Sequence, residues 1–235
     1  MLRKKYIIAN IIIVRILRKA EKKLNISAQL RKHTFNASKL ITYGNKNLDN
    51  GMNNAKILPL ILEPSSLLHQ VSETVTRVDD EIRNLAEKLI STMQHHQGLG
   101  LAAVQVGVLK RVIAVNIINA SREDGKPLNL KEGPMILVNP KIIEQSDDKK
   151  TYAEGCLSFG HIYPEIKRAN KVKVKYLDLD GKEKFLEVSD HIISACLQHE
   201  IDHTNGIVFL DRLSKIKKEF MMKKYLKWRK LNTNK

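Results

Sequence analysis

The stretch LQHEIDHTNG, residues 197–206, limits the possible folds of this chain more than any other segment. In a helix, positions i and i+4 lie one above the other, so His199 and His203 would direct their rings to one place. Glu200 follows the first His, and Gly206 stands where such a helix would end. The pattern H-E-x-x-H supplies two imidazole ligands and a carboxylate base for metal-assisted hydrolysis, so the fold should present one helix to a metal ion.

The pattern is short, and it leaves open the alternative of two ordinary helical histidines beside an ordinary glutamate. A catalytic zinc-type site needs three protein ligands and one open position, so the third ligand decides between these interpretations. Metzincins would continue the pattern with a third His, but Phe209 stands at that place. The carboxylates beyond it, Asp211 and Glu219, do not resemble buried ligands. A third ligand is therefore expected upstream.

Two upstream segments complete a possible site. One is EGCLS, residues 154–158, whose Cys156 is either a buried core residue or a thiolate ligand for a borderline or soft metal. The other is GLGLAAVQVG, residues 98–107, whose glycines allow close backbone approach and whose Gln105 offers an amide donor. Each segment alone is weak evidence for a catalytic site.

In the order GLGLAAVQ, EGCLS and HEIDH, the three segments closely resemble the motifs of peptide deformylases, which read G-x-G-x-A-A-x-Q, E-G-C-L-S and H-E-x-x-H. The resemblance runs from about Ile57 to about Leu213. It implies a metallohydrolase that removes the N-formyl group from the initiator methionine of new polypeptides and releases formate.

The resemblance also implies the metal ligands and the base. Cys156, His199 and His203 match the ligands of one ion per chain, and Glu200 matches the general base and acid. The implied native ion is Fe(2+), with Zn(2+), Ni(2+) or Co(2+) able to occupy the site. A thiolate in place of a third His or Glu makes the site softer, which suits Fe(2+).

Five further residues match supporting positions of the family. Gln105 and the backbone N–H of Leu157 match donors to the developing oxyanion, and Gly100 lies in the stretch that pairs with substrate backbone. Glu154 and Arg168 match an ion pair behind the cysteine. These assignments agree with the chemistry, because formamide hydrolysis needs both a strong nucleophile and a place for negative charge.

The chain departs from the family around these motifs. Gly160 stands where the family usually has Pro, Tyr163 where some members have Arg, Thr204 where Leu is common, and Ala153 where a second Glu is frequent. The ligands and the base are unchanged, so we expect catalysis to be retained. The loop of residues 159–167 borders the expected substrate groove, so the sequence leaves catalytic efficiency and side-chain preference open.

The net charge of +16 belongs to the two ends of the chain. Residues 1–56 carry 13 Lys/Arg and two acids, residues 215–235 carry nine and one, and the remainder is slightly acidic. The catalytic part therefore has no basic face that would predict DNA binding. Met221, Tyr225 and Trp228 form an apolar stripe among the C-terminal lysines, which predicts a docked basic helix. In the family such a helix can bind the ribosome.

The N-terminal segment allows two interpretations. Its apolar run, residues 6–14, is too short to span a membrane, so no membrane insertion is expected. Being basic and nearly free of acids, the segment is either a transit peptide for a mitochondrion or plastid, or lies upstream of a true start at Met52 in a bacterial cytoplasmic protein. The two cysteines, Cys156 and Cys196, indicate a reducing compartment, and Cys196 is expected to pack behind the helix.

These patterns predict a single α+β domain, residues 57–213, in which antiparallel or mixed β-sheets surround a central metal-binding helix, between a basic extension (1–56) and a basic C-terminal helix (214–235). Helices are expected at 79–94 and 191–205. Strands are expected at 57–62, 111–118, 135–138, 141–143, 172–176 and 185–188.

Two other classes of function stay open at this point. A metallopeptidase would need a third ligand after His203, which the sequence does not convincingly provide. A noncatalytic protein that binds RNA or the ribosome would explain the basic ends and the altered loop. That interpretation gives no reason for the ligands and the base to be present together.

Overall fold

Two antiparallel sheets and three helices make up the computed structural model, which describes residues 56–116 and 134–232. The strands are β1 (Gly100–Ala102), β2 (Val112–Val115), β3 (Met135–Gln145), β4 (Lys149–Ala153), β5 (Glu165–Ala169), β6 (Val172–Leu177) and β7 (Glu183–Val188), and the helices are α1 (Asp80–His95), α2 (His191–Thr204) and α3 (Lys215–Asn232). Five strands form one sheet in the order β1-β2-β3-β6-β7, and β4 pairs with β5 in the other. The predicted α+β class is confirmed.

One end of the five-stranded sheet is buried on both faces because β2 is apolar on both sides, whereas β6 and β7 alternate buried and more exposed residues. In β2, Val112 and Ala114 contact the core shared with α1, whereas Ile113 and Val115 contact the core shared with α2. Alternate residues of a strand point to opposite faces, so one short strand serves two cores. The helix α2 therefore lies against the sheet, as expected for the metal-binding helix.

The limits of α2 follow from its sequence. The Asp190 side chain accepts hydrogen bonds from the N–H groups of Ile192 and Ile193, which caps the first turn. At the other end, Gly206 has φ +70, a conformation that glycine adopts at little cost. A Cβ there would also meet the backbone carbonyl of His69 at 2.6 Å. Gly206 thus ends the helix and lets a neighbouring segment approach it.

Two predicted strand assignments were wrong. Residues 57–62 belong to neither of the two sheets; instead the N–H of Ile61 donates to the carbonyl of Gln105 at 2.8 Å. The two short strands expected around Pro140 are one strand, β3, with a register shift there. Asn139 adopts φ +52 at this irregularity, and such a bulge accommodates a proline that cannot donate to the ladder.

The hairpin of β4 and β5 was not predicted. Its sequences KKTYA and EIKRA are rich in charge, and β4 is largely exposed, so neither shows the apolar alternation typical of a half-buried strand. The hairpin matters for the site because β5 carries Arg168 and the chain leaves β4 directly into Glu154 and Cys156.

The C-terminal helix α3 packs against the body of the protein through the predicted stripe. Tyr225 is fully buried, and Met221 and Trp228 are partly buried in the same cluster as Cys156 and Phe159. None of the helices within 56–116 and 134–232 has the length and apolarity needed to cross a membrane. The N-terminal segment, residues 1–55, with its transit-peptide and Met52 alternatives, lies outside the described residues.

Candidate active site

Three buried side chains from two distant segments meet at one point. Ligand atoms of Cys156, His199 and His203 all lie within 4.8 Å of one another, the one such group among the described residues. Cys156 Sγ is 3.3 Å from His203 Nε2. In a tetrahedral metal site, a sulfur ligand and a nitrogen ligand typically lie about 3.5 Å apart. Cys156 and His203 therefore already have the separation of two metal ligands.

The carboxylate of Glu200 lies beside this group and is buried, with a residue exposure of 4%. Burial raises the pKa of this carboxyl to about 7, because the charged form loses its hydration. Its Oε2 has no hydrogen-bond partner in the described part of the chain. A buried carboxyl with a pKa near neutrality and a free oxygen is suited to exchange a proton with a water or a substrate.

The first glycine-rich motif approaches this carboxylate through Gly100, the first residue of β1. A Cβ built on Gly100 would overlap Glu200 Oε1 and would lie 2.6 Å from its Cγ. The side chain of Leu157 covers the nearby Gly98, where a Cβ would be 3.0 Å from Leu157 Cδ1. Because Gly98 and Gly100 have no side chains, the glycine-rich motif packs directly against the EGCLS and HEIDH motifs.

Gln105 joins the first motif to the second. Its Oε1 accepts the Ala102 N–H at 2.8 Å, and its Nε2 donates to Ser158 Oγ at 3.2 Å and lies 3.5 Å from Cys156 Sγ. These contacts fix which end of the amide faces the sulfur. The donor group of Gln105 is thus held beside the candidate ligand, and Leu157 follows that ligand in the chain.

A buried ion pair lies behind the ligands. The Arg168 guanidinium donates to both oxygens of Glu154, at 2.7 and 3.0 Å, and Glu154 Oε2 in turn accepts from His199 Nδ1 at 3.0 Å. This bond leaves His199 Nε2 as the nitrogen available to a metal. The hydrogen bonds from His199 and Arg168 outweigh the effect of burial and lower the pKa of Glu154. The predicted pair is present and orients a predicted ligand.

Asp202 and Arg212 belong to the same network but were not predicted. Asp202 Oδ2 accepts from Arg168 Nη1 at 2.6 Å and from Arg212 Nε at 3.0 Å. An acidic residue between two candidate ligand positions on a helix was the available signal, since a buried carboxylate needs a cationic partner. The hydrogen bond from Arg212 to Asp202 depends on the path of the chain after α2, and no local sequence pattern indicates it.

Electrostatics distinguish the two histidines. Burial acts to lower the pKa of both, and for His203 the charge of His199 adds to this, so its pKa falls well below the usual value. For His199, hydrogen bonds to Cys156 and Glu154 outweigh burial and the pKa is raised. His203 is therefore held neutral, the form in which imidazole binds a metal.

The departures from the family pattern have structural counterparts. Tyr163 is 58% exposed and lies on Gly155, where a Cβ would be 2.8 Å from Tyr163 Cε1. Thr204 is fully buried, and its Oγ1 donates to the carbonyl of Ile201 at 2.8 Å. Gly160 lies under the ring of Trp228. Cys196 is not part of the ligand group and packs partly buried against the core behind α2, as predicted.

Comparison with known proteins identifies relatives of this chain. The family model described as polypeptide deformylase matches residues 57–219. A peptide deformylase of Brucella suis biovar 1 (strain 1330) is 43% identical over 171 residues, which cover 73% of this chain and 93% of that protein.

Solved structures agree with the sequence comparison. The crystal structure of peptide deformylase from Ehrlichia chaffeensis matches with a TM-score of 0.66 and 38% identity, covering 76% of this chain and 99% of that one. A Met-Ala-Ser-bound crystal structure of class I type b peptide deformylase from Acinetobacter baumannii matches with a TM-score of 0.60 and 32% identity, covering 68% and 99%.

Proposed function

This chain belongs to the polypeptide deformylase family, and from that premise we propose which of its residues carry out the reaction. The protein is a metal-dependent hydrolase that removes the formyl group from N-formyl-methionyl nascent polypeptides. The observation that carries the assignment of roles is the buried Cys156, His199 and His203 group beside the buried Glu200.

Cys156, His199 and His203 would hold one divalent cation per chain, and their spacing fits this role. We propose Fe(2+) as the native ion, because a thiolate with two imidazoles makes a softer site than three nitrogen or oxygen ligands, and Zn(2+), Ni(2+) or Co(2+) can replace it. When bound, the ion lowers the pKa of its water and polarises the formyl oxygen. Anaerobic purification followed by metal analysis should find about one iron per chain.

Glu200 moves the protons of the reaction. As water adds to the formyl carbon, Glu200 takes one of its protons, and it returns this proton to the amine as the carbon–nitrogen bond breaks. Formate and a free α-amine are the products. A pKa near 7 suits both halves of this transfer, since the carboxyl can accept and release the proton at neutral pH.

Gln105 and the N–H of Leu157 stabilise the charge that develops on the formyl oxygen. The amide of Gln105 is already oriented by Ala102 and Ser158, so no reorganisation is needed during the reaction. One donor of this kind typically contributes about 3 kcal/mol to lowering the barrier. The Glu154–Arg168 pair keeps His199 in the orientation that presents Nε2.

The strand β1 offers a place for the peptide backbone. It is an edge strand that pairs only with β2 among the described residues, so its other side is free to bind an extended substrate. The Met-Ala-Ser complex of the Acinetobacter baumannii relative shows that a peptide of this type binds a member of the family. Gly100 would place the substrate backbone next to Glu200.

Replacing Gly100 by Ala should reduce kcat/KM for a formylated peptide by about 10²-fold, because the new methyl group would displace the Glu200 carboxylate. The measurement is steady-state formate release with metal content held equal. Gly181→Ala is the matched control, since it introduces strain at φ +76 in a distant turn. It should lower the melting temperature and leave kcat/KM unchanged; equal activity losses in both variants would contradict the prediction.

The deciding assay uses formyl-Met-Ala-Ser and Met-Ala-Ser with anaerobically prepared protein. Formate from the formylated peptide only, with no cleavage of peptide bonds, is the expected result. Cleavage between residues of either peptide would instead support the metallopeptidase. Bound metal without turnover of either peptide would support the noncatalytic binding protein.

We also propose that the outward face of α3 binds the ribosome. Ile216 and Phe220 are 82% and 65% exposed on this helix, and Lys223, Lys227 and Lys230 are exposed beside them. Ribosomal RNA is polyanionic, so co-sedimentation should weaken with salt. Changing the three lysines to Glu should abolish it while formate release stays at the wild-type rate. Binding that persists in this variant would count against the proposal.

The proposed site of action is the cytoplasm of a bacterium, which the bacterial origin of the Brucella suis relative supports. A mitochondrial or plastid location would require residues 1–51 to act as a transit peptide. A pulse-chase experiment in the protein's own cells separates the two, because a transit peptide predicts a full-length precursor that is later shortened, whereas a start at Met52 gives no precursor.

A further inference from the structure

A row of aromatic rings connects α3 to one of the candidate ligands. Trp228 stacks near Tyr225 with ring centroids 6.1 Å apart, and Tyr225 contacts Phe159 at 5.3 Å. Phe159 contacts Phe209 at 4.8 Å, and Phe209 contacts His199 at 5.7 Å. All of the intermediate rings are fully buried, so the row is a continuous packed path from the C-terminal helix to the site.

The loop after Cys156 is shaped to fit beneath Trp228. Gly160 has φ +61 and ψ −126, and a Cβ at this position would overlap the six-membered ring of Trp228. Trp228 also contacts His161 edge to face, with centroids 5.2 Å apart. The indole therefore occupies the space that any side chain at residue 160 would need, and it holds the turn that ends the Leu157–Phe159 segment.

The same helix fixes the segment that links the two motifs of the oxyanion site. The N–H groups of Ile61 and Glu63 donate to the carbonyls of Gln105 at 2.8 Å and Ser158 at 3.0 Å. The carbonyl of Glu63 accepts from Tyr225 Oη at 2.6 Å. Tyr225 thus anchors the segment that sets the separation between the Gln105 motif and the Cys156 loop.

We propose that Trp228 and Tyr225 are positioning residues for catalysis, which hold the loop 156–160 so that Cys156 Sγ and the Leu157 N–H keep their places in the site. This inference rests on the proposed function for its kinetic part. Its structural part concerns the loop itself and can be measured without turnover.

The test compares Trp228→Ala with Leu226→Ala, which shortens a 43% exposed apolar side chain of the same helix. Trp228→Ala should lower kcat by about tenfold with little change in KM, because a loosened loop misplaces groups that act in the transition state. Leu226→Ala should match the wild type. Trp228→Phe, which keeps a ring over Gly160, should retain most of the wild-type kcat.

Two readouts do not depend on activity. In the metal-free protein, hydrogen exchange of the amides of residues 156–160 should be faster in Trp228→Ala than in Leu226→Ala. In the Co(2+)-loaded protein, the thiolate-to-metal absorption band should shift in Trp228→Ala only. If Trp228→Ala does not fold, Trp228→Leu keeps apolar volume in the cluster and is measured in the same way.

The inference is overturned by unchanged exchange and an unchanged Co(2+) spectrum in Trp228→Ala, even if its melting temperature falls. Equal losses of kcat in Trp228→Ala and Leu226→Ala would also overturn it, because the effect would then not be specific to the ring of Trp228. If the wild-type protein releases no formate, the proposed function fails, while the exchange and absorption measurements still decide whether Trp228 positions the loop.

Discussion

Replacing Glu200 by Gln is expected to lower kcat for formyl-Met-Ala-Ser by roughly 10²- to 10⁴-fold, the usual contribution of a general acid–base group. Glutamine has nearly the same shape but cannot accept the proton of the attacking water. Because Glu200 is not a ligand in the proposed site, metal content should stay at the wild-type level. Steady-state formate release and metal analysis of the same preparation give both quantities.

A comparison of stability separates loss of chemistry from loss of structure. Burial holds the pKa of Glu200 at about 7 in the folded, metal-free protein, above the ordinary 4.5. The stabilising effect of this raised pKa is complete below about pH 4.5 and disappears as the pH rises through about 7. Glu200→Gln is uncharged throughout, so between pH 5 and 8 it should lose less stability than the wild type. An active variant, or one that loses its metal, would contradict the assigned role.

Replacing Arg168 by Met is expected to destabilise the protein by about 3–5 kcal/mol, the usual effect of removing one partner from a buried ion pair. Arg168 is 3% exposed and binds two carboxylates, those of Glu154 and Asp202. Without Arg168, the carboxylates of Glu154 and Asp202 would each lose a cationic partner in a buried site that excludes water. Denaturant unfolding of the metal-free protein measures the change directly.

Arg212→Met is the matched control for this prediction. Arg212 also binds Asp202, but its side chain is 44% exposed, so water can replace its contacts. The free energy of unfolding should therefore fall by about 1 kcal/mol or less. Similar losses in the free energy of unfolding for the two variants would mean that the burial of Arg168 does not determine how much it stabilises the protein.

The sequence predicted those parts of the site that depend on local spacing. His199, Glu200 and His203 share one helix, so a five-residue pattern fixes their relation before anything is known of the fold. The ends of that helix were also predictable, because Asp190 and Gly206 are local capping signals. Cys156 could be connected to them only through the resemblance to a family, since nothing local indicates that residues 156 and 199 meet.

What could not be predicted depends on tertiary contacts. The segment that includes Ile61 has the composition of a strand, but its backbone N–H groups donate to the carbonyls of Gln105 and Ser158 rather than to a sheet. The β4–β5 hairpin is too polar to show a clear period. Gly160 was recognised as unusual from the sequence, yet its physical reason, the ring of Trp228, lies 68 positions further along the chain.

The hydrogen bond from Tyr225 to the carbonyl of Glu63 has a consequence for how this protein is made. It joins groups 162 positions apart, close to the beginning and the end of the described chain. Synthesis proceeds from the N terminus, so a chain whose helix α3 is still inside the ribosome lacks this contact. The loop that follows Cys156 would then lack its packing against Trp228. A newly made molecule is therefore expected to reach full activity only after it leaves the ribosome, the same particle that makes its substrates.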